Sequence, residues 1–128
     1  MKSDAFRAAA EAKDFESAEG LFREDVVFRS PFVFRPYDGL DALRFILTNV
    51  AEVFEDFRYV DQTETGDFAV LMFEARVGDK ELQGVDIFNF DAEGLISEMT
   101  VMVRPMSGLQ AISDQMKKRL EALGVEPA

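Results

Sequence analysis

From Phe68 to Arg104 apolar and polar residues alternate, as half-buried strands require. Three strands are predicted there, at about Phe68–Arg76, Lys80–Phe90 and Leu95–Arg104, with an earlier one at about Phe57–Glu64. The Gly78-Asp79 pair reads as a two-residue hairpin turn, glycine being free to take positive φ. It sets Ala75 opposite Leu82, Phe73 opposite Gly84 and Leu71 opposite Asp86. The link formed by Asp91, Ala92, Glu93 and Gly94 predicts Phe90 opposite Leu95, Phe88 opposite Ser97, Asp86 opposite Met99 and Gly84 opposite Val101. All these side chains share one face. The other face is expected to carry Arg76, Glu81 and Arg104 in one row, then Glu74, Gln83 and Met102, then Met72, Val85 and Thr100.

The first half of the chain is helical in pattern. Residues 4 to 12 predict a first helix, and Asp14 an N-cap for a short second one carrying Phe15, Ala18, Leu21 and Phe22. A short strand is expected at Asp25–Arg29, and Pro31 and Pro36 make SPFVFRPYDG an irregular loop. Asp38 is placed to cap a third helix whose apolar stripe is Leu40, Leu43, Leu47, Val50 and Phe54, broadened by Ile46 and Val53. Pro105 ends the last strand. Ser107 with Gln110 suggests a capping box for a terminal helix carrying Leu109, Ile112, Met116, Leu120 and Leu123, stopped at Gly124. The order implies an α+β fold: a curved, mixed, mostly antiparallel sheet with helices on its concave face, enclosing a cone-shaped cavity.

Composition narrows the chemistry. At 128 residues one domain is expected, with 48% apolar residues and thirteen Phe to build its core. There is no Cys, which removes disulfides and thiolate nucleophiles and fits a reducing, cytoplasmic setting. There is no His, which removes imidazole acid–base work, the usual zinc sites and Ser-His nucleophiles. A net charge of −11 (14 basic, 25 acidic residues) argues against nucleic acid as a partner. The N-terminal MKSDAFRAAAEAKDF, broken by acids, reads as domain rather than signal peptide, and no membrane partner is expected. No nucleotide-binding glycine loop occurs, and the Glu52, Glu55 and Asp56 cluster lacks the spacing of a calcium loop. Neither cofactor nor metal is expected. Chemistry is left to carboxylates, Tyr, Lys and Arg.

Asp86 is the candidate catalytic group, because its strand sets a carboxylate on an apolar wall. Desolvation there should raise its pKa toward a proton donor near neutrality; the alternative is a carboxylate tied up by Ser30, Tyr37 or a backbone N–H. Ser30, Tyr37, Leu71, Phe73, Phe88, Met99 and Val101 are the candidate substrate-binding residues. Ser30 has no base to make it a nucleophile, so a hydrogen bond to ligand or a loop cap is its expected role. Of the two phenols, Tyr37 is favoured over Tyr59 because its loop leads into the helix over the cavity.

The element order, with FRSP, YDGLDALRFIL and GVDIFNFDAEGLISEMTVMVRP, resembles the SnoaL-like polyketide cyclase and ketosteroid isomerase superfamily, of nuclear-transport-factor-two-like cone fold. The resemblance covers nearly the whole chain and specifies fold better than activity. It puts Asp86 where ketosteroid isomerase has a protonated oxyanion-hole Asp, kept neutral by its apolar site. That enzyme's Tyr donor falls at Phe6 and its proton-abstracting Asp at Ser30; the acid–base His of SnoaL-like cyclases has no counterpart, and the Arg of epoxide hydrolases of this fold falls at Gly84. The implied activity is a cofactor-independent isomerase, cyclase or dehydratase for an apolar cyclic or polyketide-like ligand. Its competitor is a non-catalytic binding or dimeric interaction domain. A homodimer through the outer sheet face is expected, because Val70, Met72, Val85 and Ile87 lie there with Arg76, Glu81 and Arg104 around them.

Overall fold

The computed structural model describes residues 1–124. Six strands form one curved sheet in the order β2-β1-β6-β5-β4-β3. They are β1 (Phe22–Arg29), β2 (Tyr37–Asp38), β3 (Glu55–Thr65), β4 (Phe68–Val77), β5 (Lys80–Phe90) and β6 (Ile96–Arg104). Only β1 against β6 is parallel; the other pairs are antiparallel. Helices α1 (Asp4–Glu11), α2 (Leu40–Val53) and α3 (Met106–Ala122) add Phe6, Ala9, Leu43 and Ile112 to a core shared with the inward residues of the sheet. The mixed, mostly antiparallel α+β architecture expected from the alternation is the one observed.

The β4–β5 hairpin keeps the predicted register, with Leu71 opposite Asp86, Phe73 opposite Gly84 and Ala75 opposite Leu82. Gly78 takes φ 61° at the turn. Burial alternates cleanly along both strands, so the Leu71 and Asp86 face is the inner one. Gly84 is demanded by packing: a Cβ there would sit 2.2 Å from Phe73 Cζ and 2.8 Å from the Met102 carbonyl oxygen. Without a side chain at 84, the Phe73 ring lies across β5.

The β5–β6 pairing differs from the prediction, by two residues over most of its length and by one at Phe90. Asp86 faces Val101 rather than Met99, Gly84 faces Val103 rather than Val101, Phe88 faces Met99 rather than Ser97, and Phe90 faces Ile96 rather than Leu95. The turn is the cause. Asp91 N–H donates to the Leu95 carbonyl, and Asp91 Oδ1 accepts from the backbone N–H groups of Glu93 and Leu95, so Leu95 belongs to the turn. A bulge then leaves Ser97 without a partner. Beyond the bulge the offset is two, which preserves facing, so Met99 and Val101 still point inward; before it, Ile96 takes the buried place expected of Leu95. On the outer face, Arg104 accordingly lies opposite Gln83, not Glu81, and donates to its Oε1 at 2.9 Å.

Other boundaries moved for local reasons. Residues 15–21 form a 3₁₀ helix rather than an α-helix, with Asp14 capping it as expected by accepting from Ser17 N–H. Strand β1 starts at Phe22, not Asp25, because it runs parallel to β6 from Ile96 onward. Asp38 pairs with Val27 in β2, and Gly39, at φ 99°, turns the chain into α2 in place of an Asp38 cap. Helix α3 begins straight after Pro105, so Ser107 lies inside it and the Ser107–Gln110 box does not form; Gln110 instead donates to Asp114. Gly108 allows α3 to approach the inner face, since a Cβ there would meet Leu82 Cβ at 2.7 Å. With all three helices inside, no described element covers the outer face, and Met72, Val85 and Met102 stand side by side across β4, β5 and β6.

Candidate functional site

Strand β3 carries two register shifts, one between Glu55 and Arg58 and one between Tyr59 and Asp61. Each inserts a residue and bends the strand around the helices. The second also reverses inward parity: Phe57 and Tyr59 point in before it, Gln62 and Glu64 after it. Tyr59 thus lands opposite Phe73, in the row that continues to Gly84, and its phenol crosses the sheet to the neighbouring row. There it donates to Asp86 Oδ2 at 2.5 Å. Both residues are 5% exposed.

Asp86 Oδ1 accepts no hydrogen bond among the described residues, yet no fully buried side-chain oxygen or nitrogen there lacks a partner. Oδ1 must therefore retain open surface, and Asp86 lines an apolar cavity of about 100 Å³. Burial pushes the Asp86 carboxyl from 3.8 up to about 7, against the Tyr59 hydrogen bond, which holds it down. Burial first, then the Asp86 charge and hydrogen bond, drive the Tyr59 phenol well above its ordinary range. Tyr59 consequently stays protonated and donates continuously, while Asp86 exchanges its proton around neutrality.

The cavity walls come from every layer: Phe6 and Ala9 of α1, Ile46 and Val50 of α2, Phe73 and Met99 of the sheet, Ile112 and Met116 of α3. Of the residues anticipated for binding, Ser30, Phe73, Met99 and Val101 line it. Leu71 and Phe88 do not; both are fully buried, Leu71 beside Asp86 and Phe88 under the Phe6 ring at 4.8 Å. Tyr37 does not either, because β2 is the edge strand and its ring packs on Phe28. The phenol at the site is Tyr59, not Tyr37 as expected from the sequence. Its signal was the Phe57, Tyr59 spacing, which sets both rings inward if the strand begins before the bulge.

Ser30 Oγ accepts from the N–H groups of Phe32 and Val33 at 3.3 and 3.4 Å, capping the loop while its own hydrogen finds no acceptor among the described residues. The exposed lining residues Lys13, Asp14 and Phe32 mark where the cavity meets solvent. Among the described residues no group of three or more acidic, His or Cys side chains could hold a metal ion, and no helix is long and apolar enough to cross a membrane.

A family model for the SnoaL-like domain matches residues 4–99. A steroid delta-isomerase from Pseudomonas aeruginosa is 41% identical, over 95% of this chain and 90% of that one, with a TM-score of 0.90. An uncharacterized bacterial protein with a cystatin-like fold from Silicibacter pomeroyi is 28% identical over 94% and 85%, with a TM-score of 0.88. A putative SnoaL-like polyketide cyclase from Shewanella denitrificans, at 18% identity and a TM-score of 0.66 over 91% and 95%, shares the fold. No curated protein matches the chain. The inward carboxyl, the helices closing one side of the sheet and a family match over three quarters of the residues agree: this chain belongs to the SnoaL-like domain family.

Proposed function

We propose that the protein binds a small apolar ligand, cyclic or polyketide-like, and acts on it without a cofactor as an isomerase, cyclase or dehydratase, with Asp86 as acid/base or hydrogen-bond donor. One observation carries the reading: a carboxyl with one oxygen tied to a phenol, the other facing an apolar cavity, and a pKa of about 7. A group half protonated at neutral pH both takes and returns a proton efficiently.

Of the three reactions, moving a double bond asks least of this site. The Asp86 carboxylate takes a proton from the carbon between a carbonyl and a double bond, and the C–H electron pair passes into the enolate. The same carboxyl then returns the proton to the far end of the dienolate, leaving the double bond conjugated with the carbonyl. Proton and electron counts close with no oxidant or metal. Ser30, with its uncommitted hydroxyl hydrogen, is the donor for the enolate oxygen. Similarity to the steroid delta-isomerase from Pseudomonas aeruginosa supports placing isomerisation first.

Conversion of 3-cyclohexenone to its conjugated isomer, followed by ultraviolet absorbance, tests the reading. Wild type should catalyse it, and Asp86→Asn should lose about a hundredfold or more. No catalysis by wild type, or full activity in the variant, refutes it.

A second reading, a non-catalytic binding domain, is favoured by cavity size. About 100 Å³ is below the roughly 300–1,000 Å³ of most ligand sites and near the ~150 Å³ that holds benzene. The cavity then encloses one ring, and any larger ligand extends outward. In either case we infer a homodimer through the bare outer face, where the row Met72, Val85, Met102 adjoins Val70, Ile87, Thr100. A chain without cysteine needs no disulfides, which suits the reducing cytoplasm, where we place it.

A further inference from the structure

Helix α1 ends in a turn built for glycine. Asp14 N–H donates to the Ala9 carbonyl and Lys13 N–H to the Ala10 carbonyl, the paired bonds of a Schellman motif. The residue at its left-handed position is Lys13, at φ 55°. Glycine occupies that position without strain, whereas a long side chain is disfavoured there. Such strain persists when the side chain does something glycine cannot.

The Lys13 ammonium donates to the Phe54 carbonyl at 2.8 Å, across the cavity entrance from its own helix. That uses one of its three hydrogens. No carboxylate among the described residues lies within ion-pairing distance of it, although the chain carries an excess of eleven negative charges. Asp14, the other charged residue of the entrance, has both carboxylate oxygens engaged by Ser17. The lining thus has one carboxyl at depth, Asp86, and one cation without an ionic partner at the rim, with apolar wall between.

We propose that Lys13 is a specificity-determining residue that binds a carboxylate on the outer end of the ligand, so that the preferred ligand is an apolar ring with an acidic tail. The inference rests on the reading of the cavity as a ligand site. It adds a charge requirement to it: the ring sits against Asp86 and the tail leaves through the entrance to reach the ammonium.

The test uses 4-alkylphenols with a terminal carboxylate on chains of increasing length, and their methyl esters, titrated calorimetrically into the full-length protein. For at least one chain length the acid should bind wild type about threefold or more tightly than its ester, the scale of a partly exposed ion pair. Lys13→Met should bring the ratio to about one and Lys13→Arg should retain it. Lys13→Gly should also lose the preference, while its melting temperature stays level or rises through relief of the left-handed strain. Equal binding of acid and ester by wild type, a preference that survives Lys13→Met, or a lowered melting temperature in Lys13→Gly overturns the proposal. If esters bind in an Asp86-dependent way and acids gain nothing, Lys13 falls and the cavity reading stands; if neither binds, the cavity reading falls with it.

Discussion

Replacing Asp86 by Asn should stabilise the protein progressively as pH rises from about 4 to about 7, and leave it unchanged below that range. The folded carboxyl titrates at about 7 and the unfolded one near the ordinary 3.8. Between those values the folded state holds a proton that the unfolded state has released. Stability from this group is therefore fully present below 3.8 and is lost progressively until pH passes about 7. Three pH units at about 1.36 kcal/mol each amount to about 4 kcal/mol, a large share of the ~5–15 kcal/mol that holds a domain folded. Asn keeps the shape, still accepts from Tyr59 and never ionises, so it avoids that cost. Several acids with lowered pKa values, among them Asp4, Glu55 and Asp91, give the opposite slope, but they are common to both proteins and cancel in the difference. Urea melts of both proteins from pH 4 to pH 8, followed by far-ultraviolet circular dichroism because the chain has no Trp, give that difference directly. It should grow from near zero in acid to about 4 kcal/mol in favour of Asn at pH 8. A difference that does not change with pH refutes the buried, half-protonated carboxyl.

Tyr59→Phe removes the one hydrogen bond made to the Asp86 carboxylate among the described residues, so the Asp86 pKa should climb further. Stability at pH 8 should fall by about 1.5–3 kcal/mol, with a smaller loss at pH 5; an unchanged Asp86 titration in the variant counts against the dyad. Gly84→Ala should cost about 1–3 kcal/mol in chemical denaturation through the clash with Phe73, and Phe73→Leu in the same chain should recover part of it. Without any loss in Gly84→Ala, the close packing of Phe73 over β5 is wrong. Wild type should sediment as a dimer at micromolar concentration, and Met72→Lys with Met102→Lys, at two side chains 39% and 56% exposed, should yield monomers. A monomeric wild type removes the outer-face interface.

Alternation carried most of the sheet, because a period of two assigns faces whatever the register. Asp86 was legible for that reason: the β5–β6 pairing slid by two residues and its side chain stayed inward. What slid was set by the Asp91 side chain, whose bonds to Glu93 and Leu95 lengthened the turn by one residue and produced the bulge at Ser97. Tyr59 was harder to place, since a bulge in β3 reverses parity halfway along and leaves no mark in composition. Leu71 and Phe88 share the inner face with Asp86 but are fully buried in the core; facing the helices and lining the cavity are different properties. Ser107 and Asp38 looked like caps by type. The N-cap positions fall elsewhere, at Pro105, two residues before Ser107, and at Gly39, one after Asp38.

Carbon-13 NMR of the Asp86 carboxyl, assigned by its absence in Asp86→Asn, tests the central claim most directly. A carboxyl buried against the apolar cavity and held by Tyr59 should titrate with a midpoint of about 7. A midpoint near the ordinary value of 3.8, or below it, would mean a fully ionised group at neutral pH and would contradict the acid–base role assigned to Asp86.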